Sequence, residues 1–110
     1  MRQAGVLAAA GLVALREVLP LLEDDHRKAK ELAAAAAQNP RFSVDLQKVE
    51  TNIFMVSLRP PLDAYSFAAA MKEKGVLISP ISPSVVRFVT HKDISDGDAA
   101  RAAELLRTFN

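Results

Sequence analysis

At 110 residues, half of them hydrophobic and a quarter charged, the chain has the size and composition of one globular domain, and disorder throughout is excluded. Its 14 basic and 13 acidic side chains leave a formal charge of +1, which gives no electrostatic footprint for nucleic acid or an anionic membrane. The absence of cysteine rules out disulfides, thiolate zinc sites and a cysteine nucleophile, and leads to the expectation of a reducing, cytoplasmic setting.

Met1-Arg2-Gln3 is followed by an uncharged run from Ala4 to Leu15. A charge followed by an apolar run outlines a secretory signal. The run falls short of the roughly 20 residues that span a bilayer. Leu15-Arg16-Glu17 also interrupts any cleavage site, so a buried helix is the better account and no membrane role is expected. Being apolar all round, that helix must be covered on more than one side. Nothing later in the chain looks large enough to do so. Residues 1–19 are therefore expected to form an interdomain or interface helix, and residues 20–110 the domain itself.

Pro20 suits the first turn of a second helix, with Glu23, Asp24 and Asp25 placed to complement the helix dipole. Leu22, His26, Ala29, Ala33 and Ala36 recur at helical spacing, and Gln38-Asn39-Pro40 should end the helix. Thr51–Leu58 is β-rich and nearly continuous in apolar character, so it is expected to be a central strand buried on both faces. Asp63 can cap a helix with Ala64, Phe67, Ala68 and Met71 on one face and Gly75 just past its end. A short strand over Val76–Ser79, a loop through Pro80 to Ser84 and a third strand over Val85–Thr90 follow. Ser95, with Asp98 three residues on, resembles a capping box opening a last helix through Ala99, Ala102, Ala103 and Leu106. The expected architecture is α+β: a small sheet of about three strands covered by helices, preceded by two helices.

Arg87 stands out on physical grounds. Side chains alternate along a strand, so Arg87 shares a face with Val85 and Val89. An arginine cannot shed its charge, and burying it unpaired is very costly. It calls for an anion. One reading is a ligand carboxylate or phosphate held in bidentate fashion. The other is an ion pair with Glu50 or Asp93, or an edge-strand arginine reaching water. Asn52, at the start of the buried strand, is expected to satisfy backbone. His26 is expected to be structural and His91 to belong to a turn. Arg2 sits where its charge opposes the dipole of the first helix, which fits either a nearby anion or an exposed terminus. No metal-ligand spacing, phosphate loop or nucleophile beside a base occurs.

Three stretches in order resemble threonine aldolases: Met1-Arg2-Gln3-Ala4-Gly5-Val6-Leu7-Ala8-Ala9-Ala10-Gly11, Val49-Glu50-Thr51-Asn52-Ile53, and Val86-Arg87-Phe88-Val89-Thr90-His91-Lys92-Asp93-Ile94-Ser95. Asp24-Asp25-His26 and Lys74-Gly75-Val76-Leu77 also fall where that pattern places them. The resemblance implies the C-terminal small α/β domain of a fold-type-I pyridoxal-phosphate (PLP) lyase. Such enzymes split β-hydroxy amino acids such as threonine and allo-threonine into glycine and an aldehyde. It implies that Arg87 grips the substrate carboxylate and that Arg2 lies near the cofactor phosphate or a subunit interface. The family's Schiff-base lysine and glycine triplet lie upstream of the matched segment, and Met1 matches an internal methionine. The resemblance thus implies a missing N-terminal PLP-binding domain as partner, a homo-oligomer in the complete enzyme, and no catalysis by these 110 residues alone. The residues by themselves leave two alternatives open, a free-standing small-molecule-binding module and a self-association module.

Overall fold

The computed structural model describes residues 2–110. Helix α1 (Ala4–Val13) continues through a π turn (Ala14–Val18) and a 3-10 turn (Leu19–Leu21) into α2 (Leu22–Ala37). The two expected helices are thus two α segments of one helical path. Pro20 lacks an N–H and clashes with the carbonyl four residues back, and the irregular turns around it absorb that defect without ending the helix. The path is longer than the apolar run suggests, and by length and composition alone its first half could cross a membrane. α1 buries none of its residues.

Four strands form one antiparallel sheet in the order β1-β2-β4-β3: β1 (Phe42–Ser43), β2 (Ile53–Leu58), β3 (Ser79–Ser82) and β4 (Val85–Val89). The extra strand relative to the expected three is β1, whose two residues are too few to show a pattern. β3 lies three residues later than expected and contains Pro80. A proline is tolerated there because β3 is an edge strand, and the pairing with β4 is irregular between Pro80 and Ser82.

Helices α2, α3 (Ala64–Glu73) and α4 (Asp96–Thr108) contribute to one core with the inner residues of the strands. Ala29, Leu32, Ala33 and Ala36 of α2, Phe67 and Met71 of α3, and Ala102, Ala103 and Leu106 of α4 pack with Phe54, Val56, Val86 and Phe88. The small alanines of α2 and α4 let those two helices lie close to each other, with α2 also against β1 and β2. Phe67 meets Phe109 edge-on at 4.8 Å between ring centroids and Phe42 at 5.1 Å, while Phe54 and Phe88 stack at 4.9 Å across β2 and β4. All of this lies on one side of the sheet. β2 is therefore not buried on both faces: Phe54, Val56 and Leu58 are inside, and Ile53, Met55 and Ser57 are exposed.

The helix ends follow local chemistry. Asp63 Oδ1 accepts from the N–H groups of Tyr65 and Ser66, both at 3.0 Å, and Ser95 with Asp98 completes a reciprocal capping box. At the other end of α3, Gly75 adopts φ 85°, and Val76 N–H reaches back to the Met71 carbonyl at 2.9 Å. The end of α4 is closed from far away in sequence. Asn39, buried after the end of α2, donates through Nδ2 to the carbonyls of Leu106 (2.9 Å) and Phe109 (2.8 Å), and its Oδ1 accepts from Arg41 N–H at 3.0 Å. Asn39→Ala is expected to leave those carbonyls and the Arg41 N–H without their partner, lowering stability by about 2–3 kcal/mol. A denaturant midpoint within error of the wild type would contradict this role.

Candidate functional site

The outer face of the sheet is open, with Ile53, Met55, Arg87 and Val89 exposed on it. Its character follows from strand alternation. Thr90 N–H bonds to the Asn52 carbonyl at 2.9 Å and Leu58 N–H to the Ser84 carbonyl at 2.7 Å. These bonds bracket the β2–β4 ladder, so its even-numbered residues exchange main-chain hydrogen bonds and face the core. The odd-numbered pairs, Ile53 with Val89, Met55 with Arg87 and Ser57 with Val85, are the non-hydrogen-bonded ones on the open face. Arg87 lies midway along β4, opposite Met55 on one side and Ser79 of β3 on the other.

Arg87 is exposed, on an inner strand. The alternation read from the sequence holds, since Val85, Arg87 and Val89 share a face, but that face is open rather than enclosed. Of the alternatives left open, the ion pair with Glu50 or Asp93 is absent, since no ion pair or side-chain hydrogen bond among the described residues includes Arg87, and an arginine reaching water fits its exposure, though on an inner strand and not an edge. Its exposure leaves the charge open to solvent. What remains unusual is the setting, a cation surrounded by Ile53 and Met55, 41% and 47% exposed, with Val89 at 45%. Apolar side chains left on one face of a sheet suit a surface that something else covers.

The strand is held in place from behind. Asn52 Nδ2 donates to the Thr90 carbonyl at 2.7 Å, and the buried Thr90 Oγ1 donates to the Asp25 carbonyl at 2.7 Å. Asn52 therefore satisfies backbone, as expected of it. Lys28, buried, donates from Nζ to the Ile94 carbonyl and pairs with Asp24 at 2.7 Å. The Asp24 carboxylate holds the Lys28 ammonium above its ordinary pKa, and hydrogen bonds from Lys28 and then Arg27 hold Asp24 below the usual carboxylate range. Asp25 is also buried, and its Oδ1 has no hydrogen-bond partner among the described residues. Arg27 ties α2 to the start of α4, pairing with both Asp24 and Asp96 at 2.6 Å. The end of β4 is thus bound to β2 and α2 by side chains that the sequence offered no means of pairing.

The other expected positions separate from Arg87. Arg2 is exposed, just before α1, and none of the ion pairs among the described residues includes it. His91 is exposed in the turn after β4, where its Nδ1 accepts from Asp93 N–H at 3.3 Å, and His26 is half-buried on α2. A cleft of about 410 Å³ opens at the edge of the sheet, where the segment before β3 diverges from β4. Val76, Ile78, Phe88, His91 and Ala102 line it, and Arg87 does not. Among the described residues, no cluster of three or more potential metal ligands occurs.

The beta-eliminating lyase family model matches residues 1–59, from the start of the chain through the end of β2. The chain belongs to the beta-eliminating lyase family. Within it, the sequence is 43% identical over 100 residues to a probable low-specificity L-threonine aldolase 2 of Arabidopsis thaliana, covering 89% of this chain and 28% of that protein. It is 38% identical over 109 residues to the low specificity L-threonine aldolase of Escherichia coli K12, covering 99% of this chain and 31% of that one. The resemblance read from the ordered motifs is thereby borne out. A solved complex of the cystine C-S lyase C-DES with cysteine persulfide shares the fold, with a TM-score of 0.72 at 15% identity over 97% of this chain and 29% of that one. This lyase segment thus spans about three tenths of the relatives it matches.

Proposed function

We propose that this chain is the C-terminal, substrate-gripping domain of a PLP-dependent lyase that cleaves β-hydroxy amino acids such as threonine and allo-threonine to glycine and an aldehyde. The observation that carries the reading is Arg87, a permanent cation with no protein anion, centred on an uncovered apolar face. An arginine there can hold a carboxylate through two parallel N–H···O bonds. Such a clamp fixes the rotation of the substrate about its Cα bonds, which decides which bond is presented for cleavage. The relatives named as low-specificity threonine aldolases support the substrate class.

The residues present do not build a site for PLP itself. Lys28, the buried lysine, is held as an ammonium by Asp24 and is not a free amine. Lys30, Lys48, Lys72, Lys74 and Lys92 all lie on the exposed surface. The cofactor, its Schiff-base lysine and catalysis are assigned to an N-terminal domain that the relatives' extra length can accommodate. In this reading α1 is the interdomain or interface helix, its apolar surface covered by that domain or by another subunit of a homo-oligomer rather than by lipid. Arg2 then meets the cofactor phosphate or the subunit interface.

Mixing the isolated chain with PLP and borohydride is expected to give no stoichiometric adduct at any one lysine. A single stoichiometric adduct, located by peptide mass analysis, would overturn the division of labour. The substrate class is tested in the longer protein carrying this segment, which should release glycine and acetaldehyde from threonine. Failure to do so with any β-hydroxy amino acid would reject it.

A further inference from the structure

An arginine that must present its guanidinium in one direction needs something to restrain its stem. The Arg87 side chain carries about 2 kcal/mol of rotamer entropy when free, and no ion pair or side-chain hydrogen bond among the described residues restrains it. Packing along its methylenes can supply a restraint, and the register shows which neighbour is placed to give it. In an antiparallel pair, the non-hydrogen-bonded position brings Cα atoms to about 4.5 Å and side chains closer than at a hydrogen-bonded pair. Met55 occupies that position opposite Arg87. Ser79, across the other edge, offers only one short hydroxyl side chain, and Val85 and Val89 stand two residues away along the same strand.

We propose that Met55 is a positioning residue, whose thioether lies along the stem of Arg87 and aims the guanidinium at the substrate carboxylate. The role rests on the carboxylate reading of Arg87. The chemistry of methionine suits it. Its side chain is long enough to follow the arginine methylenes, polarisable enough to pack well against them, and too weak an acceptor to compete for the guanidinium. It also explains an apolar side chain left 47% exposed on the open face.

The experiment has two arms. In the 110-residue chain, nitrogen-15 relaxation at Arg87 Nε should show an ordered side chain that loosens in Met55→Ala and tightens again in Met55→Leu. Because Met55 is exposed, both variants should keep the wild-type melting temperature, which removes misfolding as an explanation. In the complete lyase, Met55→Ala should raise KM for the β-hydroxy amino acid about 3- to 10-fold with kcat within twofold, the loss expected when the stem regains its freedom. Met55→Leu should restore KM. Unchanged Arg87 mobility in Met55→Ala, or unchanged KM in a lyase where Arg87→Ala does raise it, overturns the positioning role and leaves the carboxylate reading standing. Unchanged KM in Arg87→Ala overturns the carboxylate reading instead, and with it the role of Met55 in substrate binding.

Discussion

Arg87→Ala in the complete enzyme is expected to lower kcat/KM for threonine by about 100- to 1000-fold, the cost of losing a two-pronged, charge-assisted contact to a carboxylate. The cofactor's absorbance should be unchanged, because Arg87 is assigned to the substrate. Arg87→Lys should recover only part of the loss, since an ammonium offers a point charge in place of the planar fork. The same substitution in the isolated chain should alter stability by no more than about 0.5 kcal/mol, because the side chain is exposed and has no ion pair to lose. The pairing of a large kinetic effect with a negligible stability effect separates a binding residue from a structural one. Steady-state kinetics and a thermal scan of the two proteins read both sides. An intact kcat/KM, or a large drop in melting temperature, would remove Arg87 from the substrate site.

Phe67→Ala should show the opposite signature. Phe67 is fully buried on α3, with Phe42 and Phe109 against its ring. Truncation removes the buried ring and leaves a cavity between three elements that cannot easily close, a loss of about 3–5 kcal/mol. Against the 5–15 kcal/mol typical of a whole domain, that is a large fraction. The urea midpoint should fall by about 2 M if the denaturant slope is near 2 kcal/mol/M. A shift below about 0.5 M would mean that the aromatic cluster collapses around the gap and does not hold α3 to the sheet.

Much of this fold was legible because local rules and tertiary packing agree. Asp63 and Ser95 open helices where their side chains can cap them, and Gly75 closes α3 in the left-handed conformation a glycine permits. Other features had no local signal. β1 is two residues long and exists only because Phe42 pairs with Leu58. β3 contains a proline, which reads as loop unless the strand is known to be at an edge. Asn39 looks like part of a helix stop, and its work at the end of α4 involves partners 67 and 70 positions away.

The site divides in the same way. Period-two alternation was enough to group Val85, Arg87 and Val89. It could not show whether their face was enclosed, because Ile53 and Met55 are as apolar as core residues while lying outside this chain's core. An apolar run in a strand reports two apolar faces, each suited to being covered. It does not report whether the cover comes from the same stretch of chain. The uncovered α1 shows the same limit, since its apolar composition reads as a buried helix and none of its residues is buried here.

The helical path from Ala4 to Ala37 also has the proportions of a lever. At 1.5 Å per residue it is about 50 Å long, close to the 54 Å long dimension of the whole domain. Its inner half packs on the sheet and is tied to the end of β4 through Thr90 and Asp25. On the proposed reading, a body gripping the outer half would set the heading of the strand that carries Arg87. A tilt of about 5° at one end of such a rod displaces the other by about 4 Å, while misplacement by about 1 Å is enough to cost a reacting group much of its rate. The π turn and the 3-10 turn around Pro20 interrupt the regular hydrogen-bond ladder midway along the rod, and the stiffness of that joint would govern how faithfully such a heading is passed on.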